Sequence, residues 1–182
     1  MTVSGASILS EQRPTILVID DCEDVHRLLR ARLRSEDLDI ISALSALEGM
    51  ELARTRRPSL ILLDLDMPET DGFEALRELK DDQATREIPV IVLSGIAASQ
   101  DKVTAFDLGA ADYVTKPFEL AELRVRVRSA LRLHHLLRLL AHLLRRDPRR
   151  ATLRRLLDEL AKRQPPEYSA HKEPKDARRA ME

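Results

Sequence analysis

The chain has 182 residues, 43% of them hydrophobic, which is enough for one domain of ordinary size and a smaller additional segment. Its single cysteine, Cys22, excludes an internal disulfide and is typical of a reducing compartment, so we expect a cytoplasmic protein. No apolar run reaches the length of a membrane span, and the first thirteen residues do not resemble a signal peptide.

The net charge of −1 conceals a division between two parts of the chain. Residues 1–120 carry 13 basic and 23 acidic side chains, for a net charge of −10. Residues 121–182 carry 17 basic and 8 acidic side chains, for a net charge of +9. This asymmetry indicates two functional parts. The acidic part suits a cation site, and the basic part suits either an anionic partner or a solvated helix surface.

Short apolar runs alternate with segments of helical spacing, which predicts βα units around a parallel sheet. The runs are nearly continuous in Ile, Leu and Val, as in a sheet that is covered on both faces. The predicted strands are 15–20, 39–43, 59–63, 88–93 and 112–115. The predicted helices between them are 23–35, 45–55, 71–81 and 99–108. The expected fold class is therefore α/β, with a five-stranded, doubly wound parallel sheet.

Local signals support several of these helices. Ser45 with Glu48 three residues later is a capping box that opens the second helix. Gly109 is the expected stop of the fourth helix. The inward face of the first helix is predicted from apolar residues at helical spacing: Val25, Leu28, Leu29 and Leu33.

A long helix is predicted after Pro117, because no glycine or proline interrupts residues 119–146. At about 1.5 Å per residue it is longer than the sheet it covers, so its second half must project or pack elsewhere. Asp147 and Pro148 predict the start of a second helix that runs to about residue 163. The apolar stripe of the long helix comprises Leu133, Leu136, Leu137, Leu140, Leu143 and Leu144.

Polar residues stand where four of the apolar runs end. Asp20 and Asp21 follow the first run, Asp64 the third, Ser94 the fourth and Lys116 the fifth. Because the carboxyl ends of parallel strands meet in one crevice, we expect these groups to converge. Three carboxylates that lie close together repel one another unless a cation lies among them. The set fits a hard divalent metal, a nucleophilic carboxylate and a charge-neutralising lysine.

These residues resemble the receiver domain of two-component response regulators, over about residues 14–130. With this resemblance the chain divides into a disordered N-terminus (1–13), a receiver domain (14–130), an Arg- and Leu-rich helical extension (131–164) and a disordered tail (165–182). The motifs that carry the resemblance are Asp20-Asp21, Asp64 in Leu-Leu-Asp-Leu-Asp-Met-Pro, Asp71-Gly72, Ser94-Gly95 and Tyr113-Val114-Thr115-Lys116-Pro117-Phe118.

The resemblance implies a phosphorylation-controlled signalling switch rather than an enzyme with a separate substrate. Asp64 would be the phosphoacceptor and would take a phosphoryl group from a sensor histidine kinase or a phosphotransfer protein. Mg²⁺ would be the cofactor. Its ligands would be Asp21 directly, Asp20 through water, Asp64, and the backbone carbonyl of Asp66.

The resemblance also implies which groups recognise the phosphoryl group. Lys116 and Ser94 would bind its oxygens. Ser94 and Tyr113 would form the switch, with Tyr113 moving inward into the space that Ser94 leaves. The Lys116–Pro117 bond would be cis. The side chain of Asp66 adds a carboxylate beside the phosphoryl site and is expected to affect autodephosphorylation, in a direction that the sequence leaves open.

A phosphatase class shares these residue types. Asp64-Leu65-Asp66 resembles the Asp-x-Asp start of haloacid-dehalogenase-type phosphatases, in which the second aspartate is the general acid. In that class the acidic pair follows the lysine, whereas Asp20 and Asp21 precede Lys116 here. No segment of the chain is suited to a cap domain either. The order of the residues therefore favours the receiver interpretation.

The role of the C-terminal helices stays open. The leucine stripe must pack on the helix at 148–163, on a second copy of the chain, or on both. It favours a homodimer, formed through these helices or through a receiver face with Lys102, Asp112, Glu122 and Arg126. The Arg-rich face would suit nucleic acid, although no aromatic residue between 119 and 163 supports base stacking. A membrane-surface helix would lack Trp or Phe anchors. Docking on another protein is the remaining interpretation.

Overall fold

The computed structural model describes residues 13–33, 37–68, 71–95 and 99–145, with side chains described as far as residue 141. The expected helix at 148–163 and the expected disordered tail at 165–182 lie outside the described residues. So do residues 1–12 of the expected disordered N-terminus. The division into domains stays a prediction.

The described residues form an α/β fold with one five-stranded parallel sheet, as the sequence predicts. The strands, in the order β2-β1-β3-β4-β5, are β1 (Thr15–Ile19), β2 (Asp39–Ala43), β3 (Leu60–Asp64), β4 (Val90–Ser94) and β5 (Asp112–Thr115). The helices are α1 (Glu23–Leu33), α2 (Ala46–Arg56), α3 (Gly72–Asp81), α4 (Ser99–Asp107) and α5 (Leu120–Arg145).

The sheet is buried on both faces because alternate residues of each strand enter different cores. Leu17 and Ile19 of β1 pack with residues of α2, α3 and α4. Ile16 and Val18 of the same strand pack with residues of α1 and α5. The continuous apolar runs of the sequence are explained by these two cores, since neither face of the central strands is left to solvent.

The buried face of the first helix differs from the prediction at two residues, His26 and Leu28. The side chain of His26 is 4% exposed and faces the core, whereas Leu28, which was expected inside, is 41% exposed. Nε2 of His26 lies 2.7 Å from the backbone carbonyl oxygen of Asp20, so the helix is fixed by a polar contact as well as by Leu29 and Leu33. Apolar periodicity alone could not reveal this arrangement.

The predicted helix ends at Ser45 and Gly109 are confirmed. The amide of Glu48 donates to the Ser45 hydroxyl at 3.3 Å, while the Glu48 carboxylate accepts from the amide of Leu44. Gly109 follows α4 with φ of +94°, a conformation that favours glycine. The amide of Ala110 then donates to the carbonyl of Ala105, which satisfies one of the last carbonyls of the helix.

The long helix α5 has 26 residues and runs past the sheet. Leu123 and Val127, near its start, are buried against the α1 side of the sheet. Farther along, Leu133, Leu136 and Leu140 are 60%, 55% and 40% exposed. Although α5 is rich in leucine, no helix in the described part of the chain is both long and apolar enough to span a membrane.

Candidate functional site

Three carboxylates meet at the C-terminal edge of the sheet. Asp20 and Asp21 follow β1, and Asp64 is the last residue of β3, the neighbouring strand. One ligand atom from each of the three lies within 4.8 Å of the others. Asp20 and Asp64 are 0% and 2% exposed, whereas Asp21 is exposed to solvent. The prediction that strand ends bring these residues together is confirmed.

Lys116 neutralises the buried part of this cluster. Its Nζ lies 2.8 Å from Oδ2 of Asp64 and 2.9 Å from Oδ2 of Asp20. Burial raises the pKa of the Asp64 carboxyl, and the contact with Lys116 opposes this only in part. Burial alone would lower the pKa of Lys116, but its bonds with Asp64 and Asp20 outweigh burial and raise it. The lysine is therefore a charged partner of both carboxylates.

Asp20 is also tied to the backbone that follows β1. Its Oδ1 accepts a hydrogen bond from the amide of Cys22 at 2.9 Å, while its Oδ2 accepts from Lys116. The exposed thiol of Cys22 is free. Both carboxylate oxygens of Asp20 therefore accept hydrogen bonds, and its backbone carbonyl oxygen contacts His26. The contact with His26 is a feature of the site that the sequence analysis missed.

The loop after β3 is shaped by Gly72. A Cβ atom on Gly72 would lie 2.3 Å from Cα of Leu65, so the start of α3 packs directly on the loop backbone. Asp71 caps this helix, because its carboxylate accepts from the amide of Phe73 at 2.9 Å. The Asp71-Gly72 motif therefore has a structural role, which is to position the loop that carries Asp66.

Asp66 lies between the phosphoacceptor candidate and β4. Its amide donates to Oδ1 of Asp64 at 3.2 Å. Its own Oδ2 accepts hydrogen bonds from the Ser94 hydroxyl at 3.2 Å and from the Gly95 amide at 2.5 Å. The sequence placed the Asp66 carboxylate beside the phosphoryl site without partners, and the structure identifies Ser94 and Gly95 as those partners.

Ser94 and Tyr113 lie on adjacent strands, β4 and β5, where Tyr113 pairs with Val92 and Ser94 pairs with Thr115. Ser94 is completely buried, and Tyr113 is 6% exposed and packs in the core with α4. Burial raises the pKa of the Tyr113 hydroxyl, and a hydrogen bond with Ser94 acts in the opposite direction. Lys102 of α4 lies over the tyrosine ring, 5.6 Å from its centroid. Tyr113 is therefore buried in this conformation, and its role as a switch with Ser94 stays a prediction.

The Lys116–Pro117 peptide bond is cis, as the resemblance implied. The bond follows the last residue of β5, Thr115, at the point where the chain leaves the sheet for α5. The amide of Lys116 donates to the carbonyl of Ser94 at 2.6 Å, which joins the ends of β4 and β5. The phosphoryl-binding candidates Ser94 and Lys116 are thus linked by a hydrogen bond between their backbones.

The fold and the site together define a receiver. The family model of the response regulator receiver domain matches residues 16–128, and the chain belongs to this family. The match covers the sheet and the first part of α5. The match therefore favours the receiver over the haloacid-dehalogenase-type phosphatases, which have the same types of site residue in a different order along the chain.

Relatives with curated names match the same region. The DNA-binding dual master transcriptional regulator RpaA of Synechocystis sp. is 41% identical over 119 residues, which are 65% of this chain and 49% of RpaA. The KDP operon transcriptional regulatory protein KdpE of Escherichia coli is also 41% identical over 119 residues, 65% of this chain and 52% of KdpE. The chain thus spans about half the length of the curated relatives it matches.

Solved structures agree with the fold. The receiver domain of the Francisella response regulator 1452 gives a TM-score of 0.62 at 29% sequence identity, covering 66% of this chain and 98% of that domain. The BeF3-activated N-terminal receiver domain of Klebsiella pneumoniae RstA gives 0.60 at 27% identity, covering 65% of this chain and 98% of that domain. Each solved receiver domain is matched almost in full, by about two thirds of this chain.

Proposed function

We propose that this protein is a response regulator that accepts a phosphoryl group on Asp64 and acts as a phosphorylation-controlled signalling switch. The observation that carries the proposal is the 2.8 Å contact of Asp64 with Lys116 inside a cluster of three carboxylates. The phosphoryl donor is a phosphohistidine of a sensor histidine kinase or a phosphotransfer protein. The proposed location is the cytoplasm, where the free thiol of Cys22 stays reduced.

Mg²⁺ is the proposed cofactor. The ligand atoms of Asp20, Asp21 and Asp64 are carboxylate oxygens, and the ammonium of Lys116 balances only one of their three charges. Hard oxygen ligands with excess negative charge fit this ion. Asp21 and Asp64 would bind it directly, Asp20 through water, and the backbone carbonyl of Asp66 would complete the protein ligands. Bound there, Mg²⁺ supplies charge neutralisation to the phosphoryl oxygens.

The transfer uses the chain's own carboxylate as nucleophile. An oxygen of Asp64 bonds to phosphorus while the phosphorus–nitrogen bond of the phosphohistidine breaks, and the electron pair of that bond stays on the imidazole nitrogen. Lys116 and Ser94 then donate hydrogen bonds to oxygens of the new acyl phosphate. Water later hydrolyses the acyl phosphate, so the only chemistry proposed is phosphorylation and dephosphorylation of the protein itself.

The decisive experiment replaces Asp64 by Asn in the full chain. With Mg²⁺ and acetyl phosphate, the parent should gain one phosphoryl group by mass spectrometry, in an alkali-labile linkage. Asp64→Asn should gain none, because the amide is not a nucleophile of this kind. Asp101→Asn, a matched loss of charge on α4, should react like the parent. Equal labelling of parent and Asp64→Asn would show that the phosphoacceptor is another residue.

For output we propose a homodimer formed through α5. The exposed leucines Leu133, Leu136 and Leu140 follow one another at intervals of three and four residues, which is the spacing of a coiled-coil seam. A contiguous apolar strip of this kind on a projecting helix marks an interaction surface. A second copy of the chain presents the same strip and is the partner that matches it in length and chemistry.

A homodimer formed through the receiver face has less support than one formed through α5. Nη1 of Arg126 lies 2.8 and 2.7 Å from the two carboxylate oxygens of Asp112, and its Nη2 lies 2.7 Å from Glu122. These charges already pair within one chain, so pairing across a two-fold axis would require them to exchange partners. Nucleic-acid binding has weaker support still, since the relatives named as transcriptional regulators match 65% of this chain and only about half of their own length.

A further inference from the structure

The side chain of Asp66 joins the end of β3 to the end of β4. Its Oδ2 accepts from the Gly95 amide at 2.5 Å and from the Ser94 hydroxyl at 3.2 Å, and its Oδ1 lies 3.4 Å from the same hydroxyl. Its backbone amide is bound to Oδ1 of Asp64 at 3.2 Å. One carboxylate therefore holds two hydrogen-bond donors directly beside the proposed phosphoacceptor.

Both donors lie where a phosphoryl group on Asp64 would need them. Leu93 is the register partner of Asp64 in the β3–β4 pair, so Ser94 and Gly95 are the next residues beyond it at the same edge. A phosphoryl group brings charged oxygens to this edge, and these are stabilised by charge-assisted hydrogen bonds from hydroxyl and amide groups. In this conformation the carboxylate of Asp66 accepts those hydrogen bonds instead.

Gly95 makes the close approach possible. A Cβ atom at this position would lie 3.2 Å from Oδ2 of Asp66, closer than most side chains tolerate. Ser94 is fully buried, so bulk water is not available to replace the contact of its hydroxyl with Asp66. The arrangement is therefore a specific contact between a loop carboxylate and the end of β4.

We propose that Asp66 is an internal clamp that holds the Ser94 hydroxyl and the Gly95 amide in the unphosphorylated protein and competes with the phosphoryl group for them. This inference rests on the proposed function of Asp64. Asp66 is a positioning residue, because it acts on the reaction through Ser94 and Gly95. Release of the clamp also frees the Ser94 hydroxyl, which is hydrogen-bonded to Tyr113 as well. Phosphorylation and the Tyr113 contact are therefore coupled through Ser94.

A negative charge at position 66 would also repel a phosphoryl group through space, without any hydrogen bond. Two variants separate this effect from the clamp. Asp66→Asn removes the charge but keeps an oxygen that accepts hydrogen bonds, whereas Asp66→Ala removes both. Asp101→Asn is the control for charge: like Asp66, Asp101 acts electrostatically on Tyr113, but it lies on α4.

The test titrates full-length parent and variants with beryllium fluoride at fixed Mg²⁺ and follows the amide resonances by NMR. In the free protein, Asp66→Ala should move the Gly95 amide proton upfield, because its hydrogen bond to a carboxylate is lost. Asp66→Ala should bind the probe about fivefold or more tightly than the parent, as two competing hydrogen bonds disappear. Asp66→Asn should lie between the two, and Asp101→Asn should match the parent.

The outcomes are distinguishable. A parent that binds the probe, with Asp66→Ala unchanged in affinity or in the Gly95 resonance, overturns the clamp and leaves the proposed function standing. Equal tightening by Asp66→Asn and Asp66→Ala overturns it as well, whatever Asp101→Asn does, because loss of the charge alone then explains the effect. A parent that neither binds the probe nor accepts phosphate overturns the proposed function and the clamp with it.

Discussion

Asp20 and Asp21 are adjacent in the chain but have different surroundings. Asp20 is fully buried, and its two oxygens accept hydrogen bonds from Cys22 and Lys116. Asp21 is exposed and contributes to the same carboxylate cluster. The pair therefore combines a residue that the fold needs with a residue that is available to a cation.

Substitution should separate these two roles. Asp21→Asn should leave the unfolding temperature without metal nearly unchanged and should reduce the shift that Mg²⁺ produces. Asp20→Asn should lower stability by about 1–3 kcal/mol even without metal, because an amide cannot replace a buried carboxylate that binds an ammonium. Thermal melts of parent and both variants, with and without Mg²⁺, measure this. An undiminished Mg²⁺ shift in Asp21→Asn would contradict the ligand role.

The sequence predicted the residues of the site better than their contacts. Asp64, Ser94 and Lys116 could be found because they end apolar runs, and parallel strands place such residues at one edge. The side chain of Asp66 was not assigned a partner, because the direction of its loop depends on how the start of α3 packs on Leu65. That packing is a tertiary contact which no local pattern encodes.

At the scale of elements, Lys80 links α3 to the chain segment before β4. Its Nζ donates to the carbonyl of Ile88 at 2.7 Å, and burial lowers the pKa of its amine to about 8. Between about pH 8 and the ordinary lysine value of 10.5, the unfolded chain binds more protons than the folded protein. The free energy of unfolding should therefore rise with pH across this window. Below the window Lys80 is protonated in both the folded and the unfolded state, so the cost of burying its charge does not change with pH.

This pH dependence can be measured against Lys80→Met. From about pH 7.5 to pH 10, the parent should gain about 1–3 kcal/mol of unfolding free energy relative to that variant, as the partly buried ammonium loses its proton. Urea unfolding at several pH values gives the difference directly. Lys102→Met, which removes the lysine over the Tyr113 ring, should keep the slope of the parent. Parallel curves for parent and Lys80→Met would show that Lys80 is charged throughout.

The elements themselves were largely predictable, and their small errors have physical causes. The predicted third and fourth strands end at residues 63 and 93, whereas β3 and β4 include Asp64 and Ser94. Polar residues were assigned to the following loops, but backbone pairing continues one residue farther. For α1, apolar spacing favoured Leu28 as a buried residue, whereas the structure buries His26, which contacts the Asp20 carbonyl.

At the scale of the whole molecule, one helix belongs to both parts of the chain. The first half of α5 is anchored in the receiver core by Leu123 and Val127, and the second half carries the exposed leucines. β5, where Tyr113 lies, is joined to the start of α5 by the short connection that contains Pro117. The receiver and the proposed dimer seam are therefore connected by a continuous element.

The homodimer is tested by sedimentation of the full chain with and without Mg²⁺ and beryllium fluoride. The parent should shift toward a dimer when the fluoride complex is bound. Leu136→Glu should weaken the dimer about one hundredfold or more, since it buries two unpaired charges at the seam. Leu47→Glu is the matched control, because Leu47 is 74% exposed on α2, away from the seam. A parent that stays monomeric throughout would contradict self-association, and a dimer that survives Leu136→Glu would move the interface from α5 to the receiver face.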